Sequence, residues 1–221
     1  MRGNSHPNES TLNPKSYLAT ESFQMPNPHI QILDTTILSD QWYVLKKITF
    51  RQEDRHGKWH TVSRESYDRG NGAVILLYNA SKKTVILTRQ FRMPTYLNGN
   101  DHGMLIEACA GLLDQDNPEE CIRKETEEET GFILKQVRKI FEAYMSPGSV
   151  TEILHFFVAE YDDSMKASEG GGLARDHELI EVLEVPFDQS LDMIATGEIR
   201  DAKTILLLQY AGLHRLLENK K

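Results

Sequence analysis

Glu125, Glu128 and Glu129, in the stretch KETEEETGF, stand three and four residues apart. At about 100° per residue a helix carries all three on one stripe and turns Glu127 away from it. Oxygen donors at that spacing suit a hard divalent cation such as Mg²⁺, which takes carboxylates, keeps several waters and is shared with substrate phosphates. The alternative is a solvated helix face, since like-charge pairs on a surface helix cost only a few tenths of a kcal/mol each. Placement bears on the choice. The acids crowd the C-terminal half of their helix, where the macrodipole disfavours carboxylates and a compensating cation is called for.

The elements that must position these acids are punctuated clearly. Asn117 followed by Pro118 reads as an N-cap with proline at the first helical position, and Gly131 reads as a C-terminal cap. Upstream, IQILDTTIL, WYVLKKITFRQ and KWHTVSRESYDR alternate as antiparallel strands. GAVILLYN and TVILTRQFR read as a more deeply buried hairpin, and MLIEACAG as one further strand. Downstream, VRKIFEAYMS and EILHFFVAEY are strands about the turn PGSV, and LIEVLEVPF is another. FDQSLDMIATG and AKTILLLQYAGLHRLLEN read as helices, and the glycine run in EGGG as a flexible loop without phosphate-binding context. The order is α+β, with many strands and few helices. An Asn-, Ser- and Pro-rich irregular arm occupies 1–29, a strand region 30–69 and the main domain 70–221.

Bulk properties exclude several classes. The 39% hydrophobic and 26% charged content is that of an ordinary folded chain, and a net charge of −8 argues against general affinity for nucleic acid or anionic membrane. No apolar stretch approaches the roughly 20 residues of a transmembrane helix, and the first residues lack a signal-peptide core, so a cytoplasmic setting is expected. Cys109 and Cys121 have no paired metal spacing and read as reduced structural thiols.

GLLDQDNPEECIRKETEEETGF, Gly111 to Phe132, resembles the box of the Nudix family, G-x5-E-x7-R-E-U-x-E-E-x-G-U with U a bulky apolar residue. Glu125, Glu128, Glu129, Gly131 and Phe132 occupy family positions, while Lys124 replaces the usual Arg and Thr126 the usual apolar residue. The first half departs: Asn117 stands in place of Glu, and only six residues separate it from Lys124. This removes the usual helix-bracing Glu–Arg contact, for which Arg123 and Asp116 are the candidate substitutes. YDRGNGAVILLYN, TRQFR, AGLLD, CIRKE, EAYMSPGSVTE, HFFVAEY, IEVLEVPF and TGEIRDAKT extend the resemblance toward the GDP-mannose-hydrolysing branch, whose box shows the same shortened first half.

The resemblance implies a Nudix α/β/α sandwich with a mixed sheet, behind an N-terminal strand region that mediates a domain-swapped homodimer. It implies Mg²⁺, with Mn²⁺ as the alternative ion, held by Glu125, Glu129 and the backbone carbonyl of Ala110. Glu128 is implied as a further ligand or a carboxylate behind the ligands. Glu178 is implied as a metal contact and general base on the loop before IEV, a role for which Asp176 and His177 compete. Arg92 is implied as a phosphate contact, Trp42, Arg64 and Glu65 as a nucleotide pocket, and Glu152 and Lys203 as substrate contacts. The implied activity is hydrolysis of a nucleoside diphosphate sugar, GDP-mannose to GMP and mannose 1-phosphate. Cleavage of ADP-ribose and non-catalytic binding of nucleotide sugars are the alternatives.

Overall fold

The computed structural model describes residues 27–113, 117–173 and 179–218. Three strands, β1 (Ile30–Ser39), β2 (Val44–Glu53) and β3 (Trp59–Asp68), form an antiparallel sheet in the order β1-β2-β3. Among the described residues a second sheet has seven strands: β4 (Gly72–Asn79), β5 (Thr84–Phe91), β6 (Met104–Glu107), β7 (Ala110–Leu112), β8 (Arg138–Tyr144), β9 (Ile153–Glu160) and β10 (Glu181–Pro186). Its main order is β10-β5-β4-β9-β8, with β6 on β5 and β7 on β4. The β4–β9 pair is parallel and the others antiparallel, so the sheet is mixed. Among the described residues four α-helices accompany it: α1 (Met93–Leu97), α2 (Pro118–Thr130), α3 (Phe187–Thr196) and α4 (Ala202–Leu213).

The continuous apolar run of β4 is explained by burial on both faces, as expected of a strand central to a sandwich. Ala73, Ile75 and Leu77 pack with Ile122 of α2, while Val74 and Leu76 pack with Met193 of α3 and with Leu207, Leu208 and Ala211 of α4. The expected α/β/α arrangement follows directly from that alternation. No helix among the described residues is long and apolar enough to cross a membrane.

The first turn of α2 is held by Asn117, whose Oδ1 accepts from the backbone N–H groups of Glu119 and Glu120, both at 3.0 Å. Gly131 closes the helix at φ 78°, a conformation that costs a Cβ-bearing residue strain. Asn117→Ala removes the side-chain acceptor at that N-cap and should cost about 1 kcal/mol, an expected drop of about 2–4 °C in the thermal midpoint by calorimetry.

Two expectations about these elements need correction. The single strand MLIEACAG is two, because the chain leaves β5 at Glu107 and joins β4 at Ala110. The buried N–H of Ala108 at this switch donates to Thr204 Oγ1 at 2.7 Å. The last helix stops at Leu213: Arg215 takes φ 52°, Leu216 N–H donates to the Ala211 carbonyl, and Leu217 folds back into the core. The five-residue α1 is too short to show a helical period, and the sequence reading passes over it.

Candidate active site

The two acids of α2 nearest the sheet are held very differently. Glu129 is 5% exposed, and its Oε2 has no hydrogen-bond partner among the described residues. Burial pushes its carboxyl up from the ordinary 4.5 to about 8; a hydrogen bond with the Cys109 thiol opposes the rise, the charge of Glu125 adds to it, and Arg92 and the Ala110 N–H oppose it further. Glu125 is half-buried over Gly111, where a Cβ would lie 2.1 Å from Glu125 Cδ. Glycine at 111 is therefore what lets Glu125 lie against β7. Ile75 N–H donates to the Cys109 carbonyl and Leu113 N–H to the Asn71 carbonyl. By antiparallel alternation, Ala110 opposite Val74 is a non-hydrogen-bonded position whose carbonyl turns away from β4.

This constellation fits a divalent cation: a buried carboxylate oxygen without a partner, a second carboxylate beside it, and a backbone carbonyl not used by the ladder. No three His, Cys, Asp or Glu side chains converge as a metal cage among the described residues. An ion taken by so few protein donors keeps waters and shares substrate oxygens. Glu128 is half-buried on the same helix, and Glu127 is exposed, as its angular position requires. Thr126, at the usual apolar position of the box, is buried without cost because its hydroxyl donates to the Ile122 carbonyl at 2.6 Å.

The glycine run expected to be a flexible loop is instead docked on the acidic helix. Gly171 N–H donates to the Glu129 carbonyl at 2.9 Å and Gly172 N–H to the Glu128 carbonyl at 3.1 Å, serving carbonyls that the helix end leaves open. A Cβ on Gly170 would lie 2.5 Å from the Glu129 carbonyl oxygen. Glycine is thus needed for close backbone approach, not for mobility. Gly170→Ala, strained at φ 69° and sterically blocked, should lower the thermal midpoint by the equivalent of about 1–3 kcal/mol.

Arg92 and Lys203 are brought together by a residue the sequence reading does not single out. Glu107, 3% exposed, accepts from Arg92 Nε at 2.7 Å through one oxygen and from Lys203 Nζ through the other. Burial alone would raise the Glu107 carboxyl, but Lys203 and Arg92 outweigh it and hold it below the ordinary range. Its signal in the sequence is a lone charge inside the apolar run MLIEACAG. Lys203 also donates to Asp201 at 2.8 Å. A cavity of about 1090 Å³ adjoins this side of the molecule between the 98–102 and 196–202 turns and does not touch the acidic helix.

Arg64 and Glu65 line a shallow groove of about 450 Å³ against Tyr144 and the 147–151 turn. Glu152, buried, follows that turn and faces Arg69 at 3.8 Å and the open side of Gly72. Trp42 stands apart: it is 84% exposed, edge-on to Tyr43, and joins neither cluster within one chain. Glu178, with Asp176 and His177, lies outside the described residues, as does Asp116. The departure in the first half of the box has a local remedy, because Arg123 donates to Glu119 one turn back at 2.6 Å and to the Leu134 carbonyl at 2.9 Å.

Comparison with known proteins matches the NUDIX domain model over residues 68–208. A model described as the GDP-mannose pyrophosphatase NudK N-terminal domain matches residues 29–67. Curated relatives named GDP-mannose pyrophosphatase from Salmonella arizonae, Escherichia coli O1:K1 and Salmonella typhimurium are each 58% identical over 189 residues. The alignments cover 86% of this chain and 98% of each relative.

Proposed function

Because this chain belongs to the Nudix hydrolase family, we propose that it hydrolyses the diphosphate bond of a nucleoside diphosphate sugar, GDP-mannose to GMP and mannose 1-phosphate. The observation that carries the reading is the buried Glu129 carboxylate, whose Oε2 has no hydrogen-bond partner among the described residues, with Glu125 and the outward Ala110 carbonyl beside it and the charge of Arg92 close enough to act on it. The choice of GDP-mannose is supported by the names of the relatives and by the matched N-terminal domain.

Glu125, Glu129 and the Ala110 carbonyl hold Mg²⁺ in this proposal, with Mn²⁺ as an alternative and Glu128 as a further ligand or a carboxylate behind the ligands. The bound cation supplies charge neutralisation on the diphosphate oxygens. Arg92 and Lys203 draw the same phosphates into line, because a guanidinium fork and an ammonium both complement phosphoryl oxygens. Glu178 takes the proton of the attacking water as the phosphorus–oxygen bridge breaks. Arg64, Glu65 and Glu152 receive the nucleotide side, with Trp42 offering a ring for the base.

A homodimer with exchanged N-terminal regions is part of the proposal. Supporting it, β1 leaves Ile32, Leu33, Ile37 and Leu38 about half exposed, and a three-stranded sheet needs a covered apolar face for stability. A second copy supplies that cover and gives exposed Trp42 a site to join. The cytoplasm is the proposed compartment, where the buried thiols of Cys109 and Cys121 stay reduced.

The test is a substrate panel with purified protein and Mg²⁺: GDP-mannose, ADP-ribose and dinucleoside polyphosphates, with products separated chromatographically. GDP-mannose should show the highest kcat/KM. A higher value for ADP-ribose would overturn the substrate assignment while keeping the chemistry, and tight GDP-mannose binding without turnover would favour a binding protein.

A further inference from the structure

We infer that Glu107 is a positioning residue that holds Arg92 and Lys203 as a convergent pair of cations for one phosphate of the substrate. This rests on the reading of those two cations as substrate contacts. Arg92 follows β5, whereas Lys203 lies in the first turn of α4, so neither element fixes the other's side chain. One carboxylate does. Its two oxygens take one cation each, so a single anion anchors both charges and offers them together to the oxygens of one phosphate.

The exposures are graded in the sense the inference requires. The side chain of Glu107 is 4% exposed, that of Lys203 14% and that of Arg92 40%, so a buried anion underlies cations that reach toward solvent. Only Arg92 Nε is engaged by Glu107, and the two Nη groups are uncommitted among the described residues, leaving the forked end for an oxyanion. Lys203 donates to Glu107 and Asp201 and retains one N–H of its three.

The backbone that carries the carboxylate is itself fixed from behind. Thr88 Oγ1 donates to the Glu107 carbonyl at 3.2 Å, and the adjacent Ala108 N–H donates to Thr204 Oγ1. Thr204 in turn donates to Asp201 Oδ2 through its hydroxyl at 2.6 Å and its N–H at 2.9 Å. The same Asp201 therefore caps α4 and takes Lys203, so the cation pair is tied to β6 and to the start of α4 at once.

The experiment is a double-mutant cycle read by steady-state kinetics with GDP-mannose and Mg²⁺. Glu107→Gln in the natural background should lower kcat/KM by about 10- to 100-fold, as misplacement of substrate-orienting groups does. In a background already carrying Arg92→Ala and Lys203→Met, the same change should have less than about a 3-fold effect, because nothing remains for Glu107 to position. Equal losses in both backgrounds, or no loss in the natural one, would overturn the inference. If Glu107→Gln does not fold, Glu107→Asp carries the same cycle: it keeps the charge but is one methylene too short to span both cations. The parent reading fails separately, if Arg92→Ala and Lys203→Met each leave kcat/KM unchanged, and that result overturns the inference with it.

Discussion

Glu129→Gln is expected to lower kcat for GDP-mannose by about 10³-fold and to raise the metal-free stability of the protein at alkaline pH. The first effect would follow from loss of the proposed metal-holding oxygen, since Lewis-acid stabilisation of phosphoryl transfer is worth several kcal/mol and each 1.36 kcal/mol is about tenfold in rate. The second follows from the buried carboxyl itself. Its proton is held up to about 8 in the fold against an ordinary 4.5, so the folded state binds that proton more tightly than the unfolded chain. The associated stability is fully present below about pH 4.5 and is lost as pH rises through about 8. Metal-free protein should therefore lose on the order of a few kcal/mol over that window, and added Mg²⁺ should restore it. The Gln variant has no such proton to lose. Melting curves at pH 5 and pH 9, with and without Mg²⁺, check both parts: only the natural protein should show a strong Mg²⁺ effect at pH 9.

Gly111→Ala is the second large effect, and it separates activity from stability. The added Cβ would meet Glu125 Cδ at 2.1 Å and Cγ at 2.3 Å, both atoms of a side chain that can swing away. The relief is therefore inexpensive for the fold and damaging for the site, because Glu125 leaves its place beside Ala110. A displacement of about 1 Å in such a group costs about 10²-fold in rate. The expected result is a loss of about 10²-fold in kcat/KM, a weakened Mg²⁺ dependence, and a thermal midpoint within a few degrees of the natural protein. A fully active variant would remove Glu125 from the metal site.

What is legible in the sequence is what local chemistry decides. The bounds of α2 can be read because Asn117, Pro118 and Gly131 act on backbone groups within a few residues of themselves. The burial of β4 on both faces can be read because it leaves an unbroken apolar run. What is hidden depends on distant partners. Glu107 acquires its meaning from Lys203, 96 residues away, and the break between β6 and β7 exists only because the chain changes partner strand. The docking of Gly171 and Gly172 on α2 is a tertiary event that composition alone presents as looseness. Resemblance names Arg64, Glu65, Glu152 and Trp42, but geometry within one chain gathers only the first three around the 147–151 turn. Trp42, 84% exposed, joins neither cluster, and only the proposed homodimer would give it a site.

The most direct measurement of the central claim is product formation from GDP-mannose as Mg²⁺ is titrated into metal-free protein. The account predicts GMP and mannose 1-phosphate in equal amounts, at a rate that saturates with Mg²⁺, disappears on chelation and falls about 10³-fold in Glu129→Gln. No GMP at saturating Mg²⁺, or turnover that is indifferent to both the metal and Glu129, would contradict it.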